Sequence, residues 1–443
     1  MLPITDLRRF LLLLLIGLSS CNSSNNKEVY TDDILRITVF PTKDNINYLY
    51  ASEVISDIEY IPLETSIQCL IGEYFLTSIS ENFILVYSRP HCILFSRQGK
   101  YIRHIGSQGQ GPEEYYIVSS MSIDEKSNMI YMVGMSELLA YRISGEFVKK
   151  FNLKEFSNKV GISGSFQKVF HWKDNLFCAN INLYSGKEDY HFVIFSLNGQ
   201  VIKLLHNFIK FERESNISYY NSMDDYADIY LYNGQLSYKH STSDTLFRVN
   251  DQLEFVPEVI FDLCGRNVQA DIRSKNDNDR SIYTSVYDIH ELENYILFSC
   301  KFGNITPKGL PTLQTCLYNK KSNKLTILKC DLLGKKQQRI IPSMSGVLSN
   351  NNEQLVDYFS EPVINDIDGG YNFYIFPSQI AFFQDTHQLM CGRFQPYRLL
   401  KDLTEEHFTT KKIKNKEAHE RLKNVLANLN GDDNPVLMIA TFK

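Results

Sequence analysis

The sequence predicts an all-β protein: a six-bladed β-propeller preceded by a signal and tether and followed by a short C-terminal helix and an extended tail. The first observation is a β-hairpin that recurs with an aromatic residue four positions before a turn glycine, at Phe95–Gly99, Tyr141–Gly145 and Phe195–Gly199. Glycine suits these turns because it adopts positive φ without steric cost. The second observation is that the hairpin returns about every fifty residues, a period typical of propeller blades.

The blades follow one another along the chain. Weaker copies of the hairpin at Thr245–Val256 and Leu317–Leu328 extend the series. Because a propeller ring has to be closed, we expect the strand pattern at Tyr48–Glu64 to complete the last blade. The six predicted blades cover residues 70–106, 118–153, 169–208, 229–262, 287–328 and 361–380.

The C-terminal residues have a different pattern. Thr404 is placed to cap a helix that has Glu405 and Glu406 in its first turn. Asn430-Gly431 ends the helical pattern, and Val436–Thr441 is a last extended run. We expect the apolar side of this helix to pack on the propeller; its residues are Ala418, Leu422, Val425, Leu426 and Leu429.

The first twenty residues form a predicted lipoprotein signal peptide. Arg8 and Arg9 precede an apolar run at Phe10–Ile16, which is too short to span a bilayer, and small residues then lead to Cys21. This order resembles the lipobox, in which the cysteine is lipidated; an ordinary secretory signal followed by a chance cysteine is the alternative. Asn22 follows in place of an aspartate, which favours the outer membrane in the cell envelope, on either its periplasmic or its surface face.

Four segments are therefore expected: the signal peptide at 1–20, a tether at 21–47, the propeller at 48–400, and the helix and tail at 401–443. A formal net charge of −5 gives no electrostatic attraction for nucleic acid. No other segment has the eighteen or so consecutive apolar residues of a membrane span. The membrane contact we expect is thus the lipid on Cys21.

The motifs favour no cofactor or metal. The glycine-rich stretch 106–111 lacks the Lys-Ser/Thr ending of a phosphate loop, and we interpret it as a turn between blades. The histidines form no zinc motif. Asp224, Asp225 and Asp228 lie close together, but their spacing does not match a calcium loop, and we expect them in a surface loop.

Two long connections, residues 209–228 and 264–286, are the candidates for ligand binding, since long loops in compact folds are often functional. They combine aromatic rings with arginines, a combination that suits a sugar or a peptide. For each residue the alternative is a capping tyrosine or a solvated arginine. The candidate residues are Arg213, Tyr219, Tyr220, Tyr226, Arg266, Arg273, Arg280 and Tyr283.

Four motifs carry a family resemblance. They read IEYIPLET at 58–65, GSQGQGPEEY at 106–115, SDTLFRV at 243–249 and DNPVL at 433–437. With them the chain resembles the six-bladed β-propeller lipoproteins of Bacteroidota, which are distantly similar to NHL-repeat propellers. The resemblance implies the fold and an exported location, and it implies no activity or catalytic residues.

Two functions remain open. We expect a binding or scaffolding lipoprotein whose partner is a glycan, a peptide or an envelope protein, and the absence of a recognisable catalytic motif makes an enzyme the less favoured alternative. That alternative is a propeller lyase or glycoside hydrolase with its site at the channel mouth. Titratable residues from three or more blades meeting in one place, with perturbed pKa values, would favour the enzyme.

Overall fold

A computed structural model describes residues 34–72, 75–212, 227–268, 281–306, 313–329, 363–373 and 388–443. Its strands form six blades, which confirms the predicted propeller. Before the first blade lie β1 (Leu35–Thr38), β2 (Ile46–Asn47), β3 (Leu49–Tyr50) and β4 (Ile55–Pro62). Blade one contains β5 (Leu76–Ile79), β6 (Phe83–Ser88), β7 (His91–Ser96) and β8 (Tyr101–His104). Blade two contains β9 (Ser120–Asp124), β10 (Met129–Val133), β11 (Glu137–Arg142) and β12 (Phe147–Asn152).

The remaining blades follow the same antiparallel order. Blade three contains β13 (Phe166–Lys173), β14 (Leu176–Ile181), β15 (Tyr190–Ser196) and β16 (Val201–His206). Blade four contains β17 (Ala227–Tyr232), β18 (Gln235–His240), β19 (Thr245–Val249) and β20 (Phe255–Asp262). Blade five contains β21 (Ser285–Glu291), β22 (Tyr295–Lys301), β23 (Leu313–Asn319) and β24 (Lys324–Leu328). Two further strands are β25 (Val363–Ile364) and β26 (Gln388–Phe394), and the last is β27 (Val436–Phe442).

Middle strands of the blades are apolar on both faces because each sheet packs between two neighbours. In blade one, Leu85 and Leu94 belong to a core shared with blade two. The alternate residues Ile84 and Phe95 belong to a core shared with blade six. Successive strand side chains point to opposite faces, so one run of apolar sequence supplies two cores.

The segment before β4 runs along the outer edges of blades four and five. β1 pairs with β20, and beyond it Val39 N–H donates to the carbonyl of Asp262 at 2.9 Å. β2 pairs in parallel with β24, and β3 pairs in parallel with β25. The predicted tether thus contributes two strands, β1 and β2, to the outer edges of blades four and five.

The sixth sheet joins distant parts of the chain in the order β26, β27, β4. Val436 lies opposite Pro62, and Phe442 lies opposite Ile55. This pairing confirms that the strand predicted within residues 48–64 completes the last blade. The prediction that residues 361–380 supply the inner strands of this blade is wrong for the part described, since Val363–Ile364 pairs with β3 outside this sheet.

Three helices lie between β26 and β27, where the sequence predicted one. They are α3 (Pro396–Asp402), α4 (Glu405–Thr409) and α5 (Lys416–Ala427). Two other helices, α1 (Ala51–Val54) and α2 (Leu153–Lys159), lie elsewhere. Thr404 caps α4 as predicted, because its hydroxyl accepts from the N–H of His407. Asn415 caps a separate helix, α5, by accepting from the N–H of Ala418. The apolar side of α5 packs on the propeller core, where Leu422 is fully buried.

Two glycines provide a matched test of the contact between blades one and six. Gly99 has φ +80°, and a Cβ atom there would overlap the carbonyl oxygen of Pro62. Gly161 has φ +74°, but a Cβ atom there would meet nothing within 4 Å. The two positions share the cost of positive φ and differ in the overlap.

We expect Gly161→Ala to lower the free energy of unfolding by about 1 kcal/mol, the cost of positive φ. Gly99→Ala should lower it by about 2 kcal/mol more, because the backbone of β4 has to move. Urea denaturation of the two variants and the wild type measures the difference. Equal losses would mean that the seam between blades one and six tolerates displacement.

Candidate functional site

The two ends of the propeller differ in their connections. The first strand of each complete blade starts at one end, here called the open end, where the loops between blades and the turns between second and third strands also lie. In blade four, for example, Ala227 lies opposite His240 at this end. The other end, here called the turn end, carries tight polar turns such as Asn233-Gly234.

Large apolar side chains are exposed at the open end. The tight turns that the structure describes at the turn end expose none. Five of the exposed side chains come from the connections that follow the strands of blades one to five, and we call these five the rim. They are Tyr116, Met135, Tyr184, Phe208 and Ile282, with exposed fractions between 41% and 80%. Isolated surface apolar groups are ordinary, and others such as Val148 and Val256 lie on outer strands, but five that come from connections at one end indicate a contact surface.

Four charged side chains interact near the open end, three of them on first strands and one on a second strand. Lys168 comes from blade three, Asp228 and Lys239 come from blade four, and Asp288 comes from blade five. We call them the inner cluster. Asp228, Lys239 and Asp288 are buried and Lys168 is half-buried.

Hydrogen bonds fix two members of the inner cluster across the seam between blades four and five. Lys239 Nζ donates to the carbonyl of Val286 at 2.7 Å and to that of His240 at 3.3 Å. Asp228 Oδ1 accepts from the N–H of Ile289 at 3.2 Å. This N–H follows Asp288, which has φ +55° inside an irregular stretch of β21.

Burial and mutual charge shift the pKa values within the inner cluster. Burial and the neighbouring charge of Asp288 raise the pKa of Asp228, which Lys239 and Lys168 oppose. Burial lowers the pKa of Lys239 and of Lys168. Asp228 opposes the shift in both, together with Asp244 at Lys239 and with Asp288 at Lys168. Groups with such shifts that meet in one place indicate a functional site.

Among the first strands of blades one to five, charged side chains near the open end lie on blades three to five. On β5 and β9 the side chains toward this end include Thr77, Ser78, Ser120 and Ser122, which carry hydroxyls. The inner cluster therefore marks blades three to five and leaves blades one and two neutral there. A ligand entering at the open end meets an asymmetric surface.

A second charged group lies between blades four and five at the turn end. Arg248 Nη2 and Glu291 Oε2 are 2.6 Å apart, and their side chains are 6% and 4% exposed. Lys320 Nζ donates to the other oxygen of Glu291 at 3.1 Å, and Tyr230 donates to Oε2 at 3.3 Å. Both oxygens of Glu291 are thus paired, so we interpret this group as a tie between the two blades.

Two buried histidines lie between blades three and four. His191 Nδ1 donates to the carbonyl of His206 at 2.9 Å, which leaves a lone pair on Nε2. His240 Nδ1 accepts from the N–H of Thr242 at 3.2 Å, which places the proton of the neutral ring on Nε2. Neither Nε2 has a hydrogen-bond partner among the described residues. Burial lowers the pKa of His191 to about 4 and holds that of His240 well below its usual value.

These histidines predict acid sensitivity. Between about pH 6.5 and pH 4 the unfolded chain binds a proton at His191 that the folded chain does not, so the free energy of unfolding falls as the pH falls. His191→Asn keeps a donor near the position of Nδ1, and it should remove about one proton from this dependence. Urea denaturation at several pH values measures the slope, with exposed His91→Asn as the control. An unchanged slope in His191→Asn would contradict the assignment.

Two of the predicted ligand-binding residues are described. Arg266 and Tyr283 are half-buried in the connection between blades four and five, at the open end. The guanidinium of Arg266 donates to Asn304 Oδ1, and the carbonyl of Arg266 accepts from the N–H of Thr284 at 2.8 Å. The other predictions lie outside the described residues: Arg213, Tyr219, Tyr220, Tyr226, Arg273 and Arg280, together with Cys21, the predicted site of lipidation.

The inner cluster escaped sequence analysis because its members stand alone in separate strands. The placement of Asp228 in a surface loop is wrong, since it is buried on β17. Asp228 is the second residue of its strand, and the apolar side chains that follow identify a strand more clearly than a loop. Lys239 gave a similar signal, a charged residue at the end of an apolar strand.

The described residues contain no group of three or more His, Cys, Asp or Glu side chains placed to hold a metal ion. Their helices include none long and apolar enough to span a membrane.

A family model and one solved structure match nearly the whole chain. A family model described as a domain of unknown function, DUF4934, matches residues 36–441. A Bacteroides fragilis protein described as exported is similar in structure, with a TM-score of 0.55 at 16% identity over 93% of this chain and 99% of that one. A DUF4221 family member from Bacteroides vulgatus has a TM-score of 0.40 at 13% identity, over 62% of this chain and 84% of its own. No curated protein matches the sequence.

Proposed function

Because the chain belongs to the DUF4934 family, whose description names no activity, we propose its function from the open end: an exported binding propeller. The observation that carries the proposal is the placement of the exposed apolar rim at the end where the inner cluster lies. Apolar side chains around a group of polar ones are the usual composition of a binding site. The partner classes that fit are a glycan, a peptide or an envelope protein.

The rim and the inner cluster serve different parts of recognition. Tyr184 and Phe208 can stack on a flat apolar face of a ligand, while Met135 and Ile282 give contact area without directional bonds. The charged side chains behind them fix orientation, because a buried charge favours one arrangement of its partner strongly. Arg266 and Tyr283 lie at the same end and fit the same role.

We propose that this binding propeller lies in the cell envelope. Arg8 and Arg9, the apolar run and Cys21 support lipidation and an outer-membrane tether. A Bacteroides fragilis protein of similar fold is described as exported, which agrees with this location.

We expect Cys21→Ser to move the protein from the membrane fraction to the soluble fraction, because it removes the lipid that holds it there. Fractionation with immunoblotting measures the change, and continued sedimentation with membranes would contradict lipidation at Cys21.

A specific observation keeps an enzyme as the second candidate. The inner cluster combines titratable groups of three blades. Burial and Asp288 raise the pKa of Asp228 to about 7, near neutral pH, where a carboxyl group can act as an acid or a base. A lyase or a glycoside hydrolase could use such a group as an acid or base. Consumption of a bound ligand is the outcome that favours this candidate.

A thermal-shift panel tests the open end directly. The full-length protein in detergent is screened against glycans and peptides, and each stabilising ligand is analysed for breakdown. We expect the double variant Met135→Ser, Phe208→Ser to lose at least tenfold in affinity, because it removes two exposed side chains of the rim. The control is Val148→Ser, Val256→Ser, which changes two side chains that are each 42% exposed on outer strands.

The control should bind like the wild type. Equal binding by both double variants would place the ligand elsewhere on the propeller. A panel without any stabilising ligand would contradict a glycan or peptide and leave the envelope protein as the partner class.

A further inference from the structure

The sequence contains three Asn-Gly pairs, at residues 198–199, 233–234 and 430–431. In such a pair the backbone nitrogen of the glycine can attack the side-chain carbonyl carbon of the asparagine, because glycine has no Cβ atom to hinder the approach. The reaction requires a side-chain amide that can rotate, a backbone N–H without another bond, and access for water. The three pairs differ in how far they meet these conditions.

The first pair, Asn198-Gly199, has a hydrogen bond on each reacting group. The side-chain oxygen of Asn198 accepts from Lys149 Nζ at 2.8 Å. The N–H of Gly199 donates to the carbonyl of Ser196 at 2.8 Å, within the turn between β15 and β16. Attack by the Gly199 nitrogen would have to break both bonds, so we expect this pair to react slowly.

The second pair forms a two-residue hairpin turn, in which the backbone itself is fixed. Asn233 has φ +50° and Gly234 has φ +74°. Tyr232 and Gln235, which flank them, lie opposite each other on the paired strands β17 and β18. Ring closure between the two turn residues requires rotation of this backbone, which the strand pairing on either side opposes. We expect this pair to react slowly as well.

The third pair lies in the loop between α5 and the closing strand β27, and both of its residues are exposed. The N–H of Asn430 donates to Asp433 Oδ2 at 2.6 Å, and the N–H of Asp433 donates to the carbonyl of Asn430 at 3.1 Å. These bonds hold a turn. Among the described residues, none bonds to the side-chain amide of Asn430 or to the N–H of Gly431. Both reacting groups are therefore available to each other and to water.

We propose that Asn430 deamidates spontaneously in the folded protein, while the fold protects Asn198 and Asn233. The nitrogen of Gly431 gives its proton to water or hydroxide and forms a bond to Cγ of Asn430; the bond from Cγ to Nδ2 breaks, and ammonia leaves. Water then opens the resulting succinimide at either carbonyl group, which gives aspartate or isoaspartate. The net reaction consumes one water and releases one ammonia, so it requires no enzyme, oxidant or cofactor.

The modified loop leads directly into the closure of the ring. Later in the same loop, the side-chain amide of Asn434 donates to the carbonyls of Glu64 and Cys69. Isoaspartate adds a methylene group to the backbone at position 430, and either product adds a negative charge close to Asp433. We therefore expect isoaspartate at this position to weaken the closure.

Peptide mass spectrometry of the full-length protein measures the three rates. The protein is incubated in detergent at mildly alkaline pH, and samples are digested under acidic conditions, which limit deamidation during preparation. We expect aspartate and isoaspartate to accumulate at Asn430 at least tenfold faster than at Asn198 or Asn233. Equal rates at all three positions, or a faster rate at either hairpin, would overturn the proposal.

Unfolding the protein separates the effect of the fold from that of the neighbouring residues. In concentrated urea the restraints on Asn198 and Asn233 are lost, so the three rates should become similar. A tenfold advantage of Asn430 that persists in urea would mean that the local sequence determines the rate, and it would overturn the protective role of the fold.

Gly431→Ala is the matched variant. Gly431 does not have positive φ, and a Cβ atom there would lie 3.8 Å from the Cβ of Tyr397, which is an ordinary contact. The variant should therefore fold like the wild type, which circular dichroism establishes. Deamidation at Asn430 should become at least tenfold slower, because the added methyl group hinders the attacking nitrogen. An unchanged rate would contradict attack by this nitrogen.

Urea denaturation tests the effect on the closure. The isoaspartate form is isolated from incubated protein by ion exchange and identified by isoaspartyl methyltransferase labelling. Asn430→Asp carries the same charge without the extra methylene group and is the control. We expect the isoaspartate form to unfold at a lower urea concentration than Asn430→Asp, and equal midpoints would overturn the expected weakening of the closure.

Discussion

Antiparallel pairing between β27 and β4 is the interaction on which the propeller depends. A ring of sheets has no fixed end, so the first and last blades have to be joined by something stronger than side-chain contact. Here the backbone of Val436–Phe442 pairs along Ile55–Pro62, two stretches separated by almost the whole sequence. Asn434 strengthens the same place, because its side-chain amide donates to the carbonyls of Glu64 and Cys69 and its oxygen accepts from the N–H of Ile71.

Closing the ring in this way leaves the blades free to differ at their ends. The middle of each sheet is fixed by apolar packing against two neighbours, as Leu85 and Ile84 show for blade one. The loops at the open end are not part of this packing, so they can carry exposed apolar side chains such as Met135 at little cost in stability. The tight turns of the other end have no such room. The difference between the two ends therefore follows from the strand order, and it gives the protein one surface suited to binding.

The inner cluster depends on the same geometry. First strands of neighbouring blades converge on the axis, so charged residues from β13, β17 and β21 come within reach of one another and of Lys239 on β18. A single charged residue near the start of a strand would be solvated and would have no particular consequence. Burial and their mutual charges shift the pKa values of Lys168 and Asp228, and the group carries both signs of charge. The site is a product of the ring and of no single blade.

The local sequence determined the blades and their turns. Repeated glycine turns such as Gly99 and Gly145 have the positive φ that the hairpin pattern predicted. The closing strand and the cap at Thr404 could also be predicted, because strand alternation and capping depend on neighbouring residues. Three features could not be predicted from the sequence: the edge strands β1 and β2, the position of residues 363–373, and the division of the C-terminal helix into three. Each depends on the distant strand edge or core against which the segment packs.

Only the tertiary structure decided the candidate site. Arg266 and Tyr283 were found as loop residues of suitable chemistry, whereas Lys168, Asp228, Lys239 and Asp288 lie up to 120 positions apart in sequence (288 − 168) and have no common motif. What unites them is the convergence of strands about one axis, and this is a property of the closed ring. The sequence gives the residues of each strand. The charged side chains come close to one another only when the six blades have packed into the ring.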